Sequence, residues 1–253
     1  MTPEEKKDKL FILKKQSNIE FNNKNYTNAL SKINQAIELD ASDKTFYLMK
    51  SKILNQLENY EEACQACQIA LDLDSNYEEA QLEKAFALNE LGNKEFELDK
   101  FNIALSKYNE AIELNPTNKI YYSNKAGCLK NLEKYAEAIQ ALDIALRLDP
   151  GYQSALEKKA SNLNALATLN FQHGELKLSL IRYDEAIRLN PNEKVFYANR
   201  AGLFIKMENW KEAIKSAELA LKIDPKYEYA IEKKKFAENK ISSLYLKTKT
   251  CTN

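Results

Sequence analysis

The side chains most able to do chemistry are few, and their spacing does not support it. The chain has one histidine, His173, beside Gly174. A metal site or a nucleophile–base–acid triad needs partners that cannot be placed around it, so it reads as a surface or packing histidine. Cys64 and Cys67 form a Cys-x-x-Cys pair. A zinc site would want a second pair, and a redox motif would open a helix beside a βαβ unit. Here the pair lies inside a helical stretch, where Cys67 takes the position filled elsewhere by Ile33, Tyr108, Leu142, Tyr183 and Ala217, so it reads as core. Asp and Glu fall on surface phases of helices, and no phosphate-cradling GxxxxGK[ST] or GxGxxG loop occurs. The expectation is no catalytic residue, no cofactor and no metal.

What positions these residues is a repeat. NALSKINQAIELD (28–40), EACQACQIALDLD (62–74), IALSKYNEAIELN (103–115), EAIQALDIALRLD (137–149), LSLIRYDEAIRLN (178–190) and EAIKSAELALKID (212–224) are six copies of one unit. Within each pair the copies start 34 residues apart, and the pairs recur every 75. Apolar residues return at intervals of three and four, a helical stripe. The prolines of NP and DP disfavour helix at the residue before them, which ends each second helix. One hairpin of this length cannot bury its apolar face alone, but stacked neighbours can.

The copies resemble the tetratricopeptide repeat (TPR). The small residue of its second helix is Ala29, Ala63, Ala104, Ala138, Ser179 and Ala213, and the alanine seven residues on is Ala36, Ala70, Ala111, Ala145, Ala186 and Ala220. The aromatic before that helix is Tyr26, Tyr60, Phe101, Tyr135 and Trp210, with Leu176 departing. The large residue early in the first helix is Leu13, Tyr47, Leu88, Tyr122, Leu163 and Tyr197. The closing proline is Pro116, Pro150, Pro191 and Pro225, with Ala41 and Ser75 in the first pair. The resemblance spans about residues 10–227. It implies an all-α, right-handed α-solenoid of six helix-turn-helix hairpins with a C-terminal capping helix.

The 75-residue period exceeds two 34-residue repeats by seven. The surplus is EEAQLEK (78–84), QSALEKK (153–159) and EYAIEKK (228–234), all free of Pro and Gly. Seven residues are close to two helical turns, so the apolar face barely rotates. Lengthened first helices over about 78–98 and 153–172 are expected, with a short linker as the alternative. The expected divisions are a frayed N-terminus (1–9), repeats 1–2 (10–77), repeats 3–4 (78–152), repeats 5–6 (153–227), a capping helix (228–246) and a flexible tail (247–253). In the cap, Ala230, Ile231, Ala237, Ile241 and Leu244 can share one face.

Composition narrows the function classes. Lys plus Arg equals Asp plus Glu at 37 each, and only five Gly and five Pro interrupt the chain. A nucleic-acid binder usually carries a basic excess. Net charge runs from −4 over residues 1–84 through −1 over 85–159 to +5 over 160–253. That gradient reads either as solvated helix faces or as a basic C-terminal docking surface. No apolar run approaches the roughly 18 residues of a membrane helix, and the polar start has no secretory core. A cytoplasmic location with reduced thiols is the expectation.

The resemblance also implies a ligand. First helices of such arrays line a groove, and in co-chaperones a carboxylate clamp there captures the acidic C-terminal tail of heat-shock chaperones. Its positions read Lys14, Asn18, Met49, Glu79 and Glu83 in the first pair, where the acidic residues would repel. They read Asn89, Asn93, Asn124, Ser154 and Lys158 in the second, and Asn164, Thr168, Asn199, Tyr229 and Lys233 in the third. A register counted from the later repeat puts Ser161 and Ala165 in the closing positions instead. The candidate peptide-binding residues are Asn89, Asn93, Asn124, Lys158, Asn199 and Lys233, and the same residues also read as family vocabulary without chaperone binding. Three roles stand in order: a non-enzymatic adaptor binding a peptide or partner helix, a structural subunit of an assembly, and an RNA-binding repeat.

Overall fold

The computed structural model of the chain describes residues 1–250, and these form thirteen α-helices and no strand. Six first helices are α1 (Pro3–Asn22), α3 (Lys44–Gln56), α5 (Glu78–Glu97), α7 (Lys119–Asn131), α9 (Gln153–Gln172) and α11 (Lys194–Lys206). They alternate with six second helices, α2 (Tyr26–Leu39), α4 (Tyr60–Leu73), α6 (Phe101–Leu114), α8 (Tyr135–Leu148), α10 (Leu176–Leu189) and α12 (Trp210–Ile223). The last helix is α13 (Glu228–Thr250). This is an all-α helical repeat.

Twelve small residues bring the hairpins together. Ala29, Ala63, Ala104, Ala138, Ser179 and Ala213, and Ala36, Ala70, Ala111, Ala145, Ala186 and Ala220, are all 0% exposed. A methyl group or less at the contact lets two backbones approach, and larger side chains fill the neighbouring gaps. Ser179 keeps its hydroxyl satisfied by donating to the Ala167 carbonyl at 2.8 Å.

Two turn chemistries repeat. Two residues beyond the end of each first helix stands a residue with positive φ: Lys24, Glu58, Asp99, Glu133, Gly174 and Glu208. That left-handed step reverses the chain and favours glycine, yet only one of the six is glycine. Each second helix is followed by an Asp or Asn, and in five of these the side-chain oxygen accepts the backbone N–H two residues on. Asp40 and Asp74 do so without the proline, at 3.0 and 3.1 Å, which is why the first pair turns with Ala41 and Ser75 in its place.

The segments 78–84 and 153–159 open continuous 20-residue helices, α5 and α9. α1 also has 20 residues, against 13 in α3, α7 and α11. The long helices start at Pro3, Glu78 and Gln153, and α13 at Glu228, so all four follow the 75-residue period.

Three sequence expectations need correction. Residues 1–9 are not frayed: α1 begins at Pro3, because Thr2 accepts the Glu5 N–H while the Glu5 carboxylate accepts the Thr2 N–H. α13 continues to Thr250, so the expected tail is helical over 247–250, and 251–253 lie outside the described residues. Only Ala230 and Ala237 of the expected cap face are buried, while Ile231 and Leu244 are exposed.

The chain divides into two compact units, Met1–Cys128 and Leu129–Asn253, with the boundary inside α7. The core of unit 1 begins around Leu13, Ile33, Phe46 and Ile53 and ends around Ala104, Tyr108 and Cys128. The core of unit 2 includes Ala160, Leu163 and Phe196, then Ala167, Tyr183 and Leu203, then Tyr197, Ala220 and Ala230.

Candidate peptide-binding groove

The predicted residues divide between the two units. In unit 1, α5 carries Asn89 and Asn93 and α7 carries Asn124. The Asn124 amide donates to Asn89 Oδ1 at 3.0 Å and to Asn93 Oδ1 at 3.3 Å. The Tyr108 hydroxyl from α6 also donates to Asn93 Oδ1, at 2.7 Å. The amide groups of Asn89 and Asn93 in turn donate to the two carboxylate oxygens of Glu90, at 2.9 and 3.2 Å. The three asparagines do meet, but around a carboxylate the chain itself supplies. Burial, with Glu90 and Glu97 among the neighbouring charges, holds the Tyr108 phenol well above its usual pKa, so its proton stays on and donates.

Lys158, predicted to join them, belongs to unit 2 on α9. Burial lowers its ammonium's pKa, because desolvation disfavours the charge. In the first pair, Lys14 donates to Thr45 at 2.7 Å and lies 5.6 Å from the Phe46 ring centre.

In unit 2, α9, α10, α11 and α13 line a groove of about 350 Å³. Its walls include Phe171, Tyr183, Ile205 and Tyr229, and its polar rim carries Thr168, Asn199, Lys206 and Lys233. Four of the five third-pair positions therefore converge, and the fifth holds one of them: Asn199 donates to Asn164 Oδ1 at 3.0 Å. Thr168 shares a hydrogen bond of 3.0 Å with the Tyr183 hydroxyl. Lys233 lies 4.5 Å from the centre of the Tyr229 ring, a cation–π contact that steadies the ammonium at the rim. No Asp or Glu lines the groove, and neither lysine is ion-paired among the described residues. Gly202 keeps it open: a Cβ there would stand 3.6 Å from the Tyr229 hydroxyl and 3.9 Å from Lys233 Cε. Sequence reasoning missed Lys206, Phe171 and Tyr183 here, and Glu90 in unit 1. The 75-residue period, extended to the neighbours of each predicted residue, would have found them.

The residues first considered for chemistry lie elsewhere. Cys67 is fully buried and its thiol donates to Ser51 Oγ at 2.9 Å, while Cys64 is half-buried. Burial pushes the two thiols up to about 12 and about 11, so little thiolate forms near neutral pH. His173 caps the C-terminus of α9 and is exposed.

Comparison with known proteins agrees with this architecture. A tetratricopeptide-repeat family model matches residues 15–78 and 89–153, and a second matches 196–227. The chain belongs to the tetratricopeptide-repeat family. The unmatched stretch between them is the TPR that carries Leu176 and Ser179 in place of the usual aromatic and alanine, yet it folds as α9 and α10. The TPR-containing relatives are matched only in part. The small glutamine-rich tetratricopeptide repeat-containing protein 2 of Saccharomyces cerevisiae is 40% identical over 52 residues, 21% of this chain and 15% of that protein. The serine/threonine-protein phosphatase 5 of Rattus norvegicus is 32% identical over 91 residues, 36% of this chain and 17% of that protein. The chain thus spans less than a fifth of these relatives' length. The solved structure of YrrB, described as a TPR protein with an unusual peptide-binding site, superposes with a TM-score of 0.52 at 21% identity, covering 80% of this chain and 97% of that one. That likeness speaks for the fold. No helix among the described residues is long and apolar enough to cross a membrane.

Proposed function

We propose that this chain is a non-enzymatic cytoplasmic adaptor whose unit 2 groove takes the acidic C-terminal end of a partner protein, a chaperone tail being the chemistry that suits it. The observation that carries this reading is the rim: Lys206, Lys233 and Asn199 around an apolar floor, with no carboxylate among the lining residues. A chain end offers two carboxylate oxygens for charge-assisted hydrogen bonds, and its preceding side chain can lie against Tyr183, Phe171 and Ile205. The unit 1 cluster of Asn89, Asn93 and Asn124 is the weaker place for an anion, because Glu90 stands among its donors. The test is a titration with a fluorescent peptide ending in acidic residues, beside the same peptide amidated at its C-terminus. Micromolar binding, lost at least tenfold on amidation and on Lys233→Ala, is expected. Millimolar binding indifferent to both changes would overturn the proposal.

One observation favours a second role, as a subunit of a larger assembly. The second helices expose large apolar residues, among them Ile69, Ile103, Ile181, Leu219 and Ile223, at 40–63%. Exposed apolar surface of this kind is what a partner covers. Co-purification at fixed stoichiometry that survives Lys233→Ala but not Ile181→Ser would support it.

A further inference from the structure

The two asparagine clusters are copies of one another, and among the residues that differ between them is an acid at the centre of one: Asn93 is matched by Thr168, Glu97 by Gln172 and Glu90 by Ala165. Asn124 donates to Asn89 at 3.0 Å in unit 1, and Asn199 donates to Asn164 at 3.0 Å in unit 2, each pair 75 residues from its copy. Tyr108 and Tyr183 stand under the two clusters at the same spacing, reaching Asn93 at 2.7 Å and Thr168 at 3.0 Å. The residue after Asn89 is Glu90; the residue after Asn164 is Ala165. Only in unit 1, therefore, do the asparagine amide groups find a carboxylate within their own helix.

We infer that Glu90 is the residue that decides which of the two clusters accepts an acidic chain end. In unit 1 it occupies the donors an incoming carboxylate would need and meets that carboxylate with like charge; in unit 2 Ala165 leaves the matching space neutral. Both effects act in one direction. A hydrogen-bond donor already turned to an ionised acceptor has little left to give a second. Two carboxylates a few ångströms apart repel in a partly desolvated site more strongly than in bulk water. The acid is not incidental to the helix surface, because both its oxygens are held, by Asn89 and by Asn93. The unit 1 cluster of three asparagines is thus the one that refuses an anion, and the copy with fewer asparagines is open to one.

This assignment deepens the proposed function and rests on it only for the role of unit 2. The test follows side-chain amide signals of the full chain by NMR, with acetate as a minimal carboxylate and the acidic peptide as the second probe. In the wild-type chain, acetate is expected to shift the Asn199 amide and leave Asn89, Asn93 and Asn124 unmoved. Glu90→Ala should let acetate shift Asn93 and Asn124. Ala165→Glu should weaken the peptide at least tenfold, whereas Ala165→Gln, equal in size and uncharged, should stay within threefold. Equal responses of the unit 1 amides in wild type and Glu90→Ala would overturn the assignment, as would equal losses from Ala165→Glu and Ala165→Gln. If Asn199 never responds but Glu90→Ala opens unit 1, Glu90 keeps its role and the proposed groove loses its own. If Asn199 responds and neither substitution matters, the groove stands and this inference falls.

Discussion

Unit 1 and unit 2 solve the same packing problem with the same residues and then part at the groove. Buried tyrosines, Tyr108 and Tyr183, stand 75 residues apart under an asparagine pair. Around that shared frame, unit 1 places Gly92 against Tyr108 and Glu90 among the asparagines, while unit 2 places Ala167 and Ala165. The repeat constrains what touches the neighbouring helix and leaves the rim free to vary. A binding array can therefore change its ligand one side chain at a time without disturbing its core.

The largest effect should come from filling the groove in one unit and making the same change in the other. Gly202→Phe puts a ring beside Tyr229 and Lys233 and should weaken the acidic peptide about a hundredfold, about 2.7 kcal/mol. Gly127→Phe, its copy in unit 1, meets Phe96 instead and should leave that affinity within about threefold, or roughly 0.7 kcal/mol. A fluorescence titration of both variants, with circular dichroism to confirm the helices, checks this. Equal losses would mean that the peptide does not distinguish the units.

Next is the packing beneath the clusters. A Cβ on Gly92 would fall 2.6 Å from the Tyr108 ring, which is itself buried and hydrogen-bonded through its hydroxyl to Asn93. Gly92→Ala should therefore destabilise by about 1–3 kcal/mol through overpacking, against the roughly 1 kcal/mol that alanine normally contributes over glycine in a helix. In unit 2 the methyl is already present, so Ala167→Gly should cost about 1 kcal/mol. Urea unfolding of the two variants measures both. A Gly92→Ala chain more stable than wild type would show that Tyr108 yields, and the two units would no longer differ there.

Most of the fold was legible because the twelve small residues recur in register, and such positions cannot be exchanged freely when backbones touch. The left-handed turns were not, because five of the six carry Lys, Glu or Asp where glycine would have announced them. The start of α1 had a visible signal in Thr2 and Glu5, a capping pair that the polar composition around it masked. In the candidate site, the positions of Asn124 and Asn199 follow from their shared context, and that of Lys233 from its place on the last helix; their binding role is a proposal. Glu90 taken alone looks like solvated surface on a helix with many acids, and only the 75-residue comparison singles it out. Its meaning comes from the contrast with Ala165.

A smaller effect concerns those turns. Holding an L-residue in the left-handed region costs about 1–2 kcal/mol, partly offset for glycine by its greater freedom in the unfolded chain. Asp99→Gly in unit 1 and Glu208→Gly in unit 2 should each stabilise by less than about 1 kcal/mol, and Gly174→Ala should destabilise by about 1 kcal/mol. Thermal unfolding of the three variants reads the set. A gain confined to one unit would place the strain in that unit's packing rather than in the turn.

The smallest effect tests whether the units differ outside the groove at all. Lys44 pairs with Asp74 in unit 1 and lies 4.5 Å from the Tyr77 ring centre; Lys194 pairs with Asp224 at 2.5 Å in unit 2 and lies 4.8 Å from the Tyr227 ring centre. The hydrogen bond from each lysine holds its aspartate below the ordinary carboxylate value, reinforced by the backbone N–H of Asn76 or Lys226. A carboxyl whose pKa is depressed on folding adds stability above its unfolded value, near 4, and that contribution is lost as pH falls through the folded value. The loss therefore belongs below about pH 4, and it is slight because both pairs are open to water and screened. Asp74→Asn and Asp224→Asn should each lower the melting temperature slightly at pH 7 and converge on wild type near pH 3, by equal amounts in the two units. A salt series should shrink both differences together. Unequal losses would show that divergence between the copies extends beyond the binding rim into the joints that hold the hairpins.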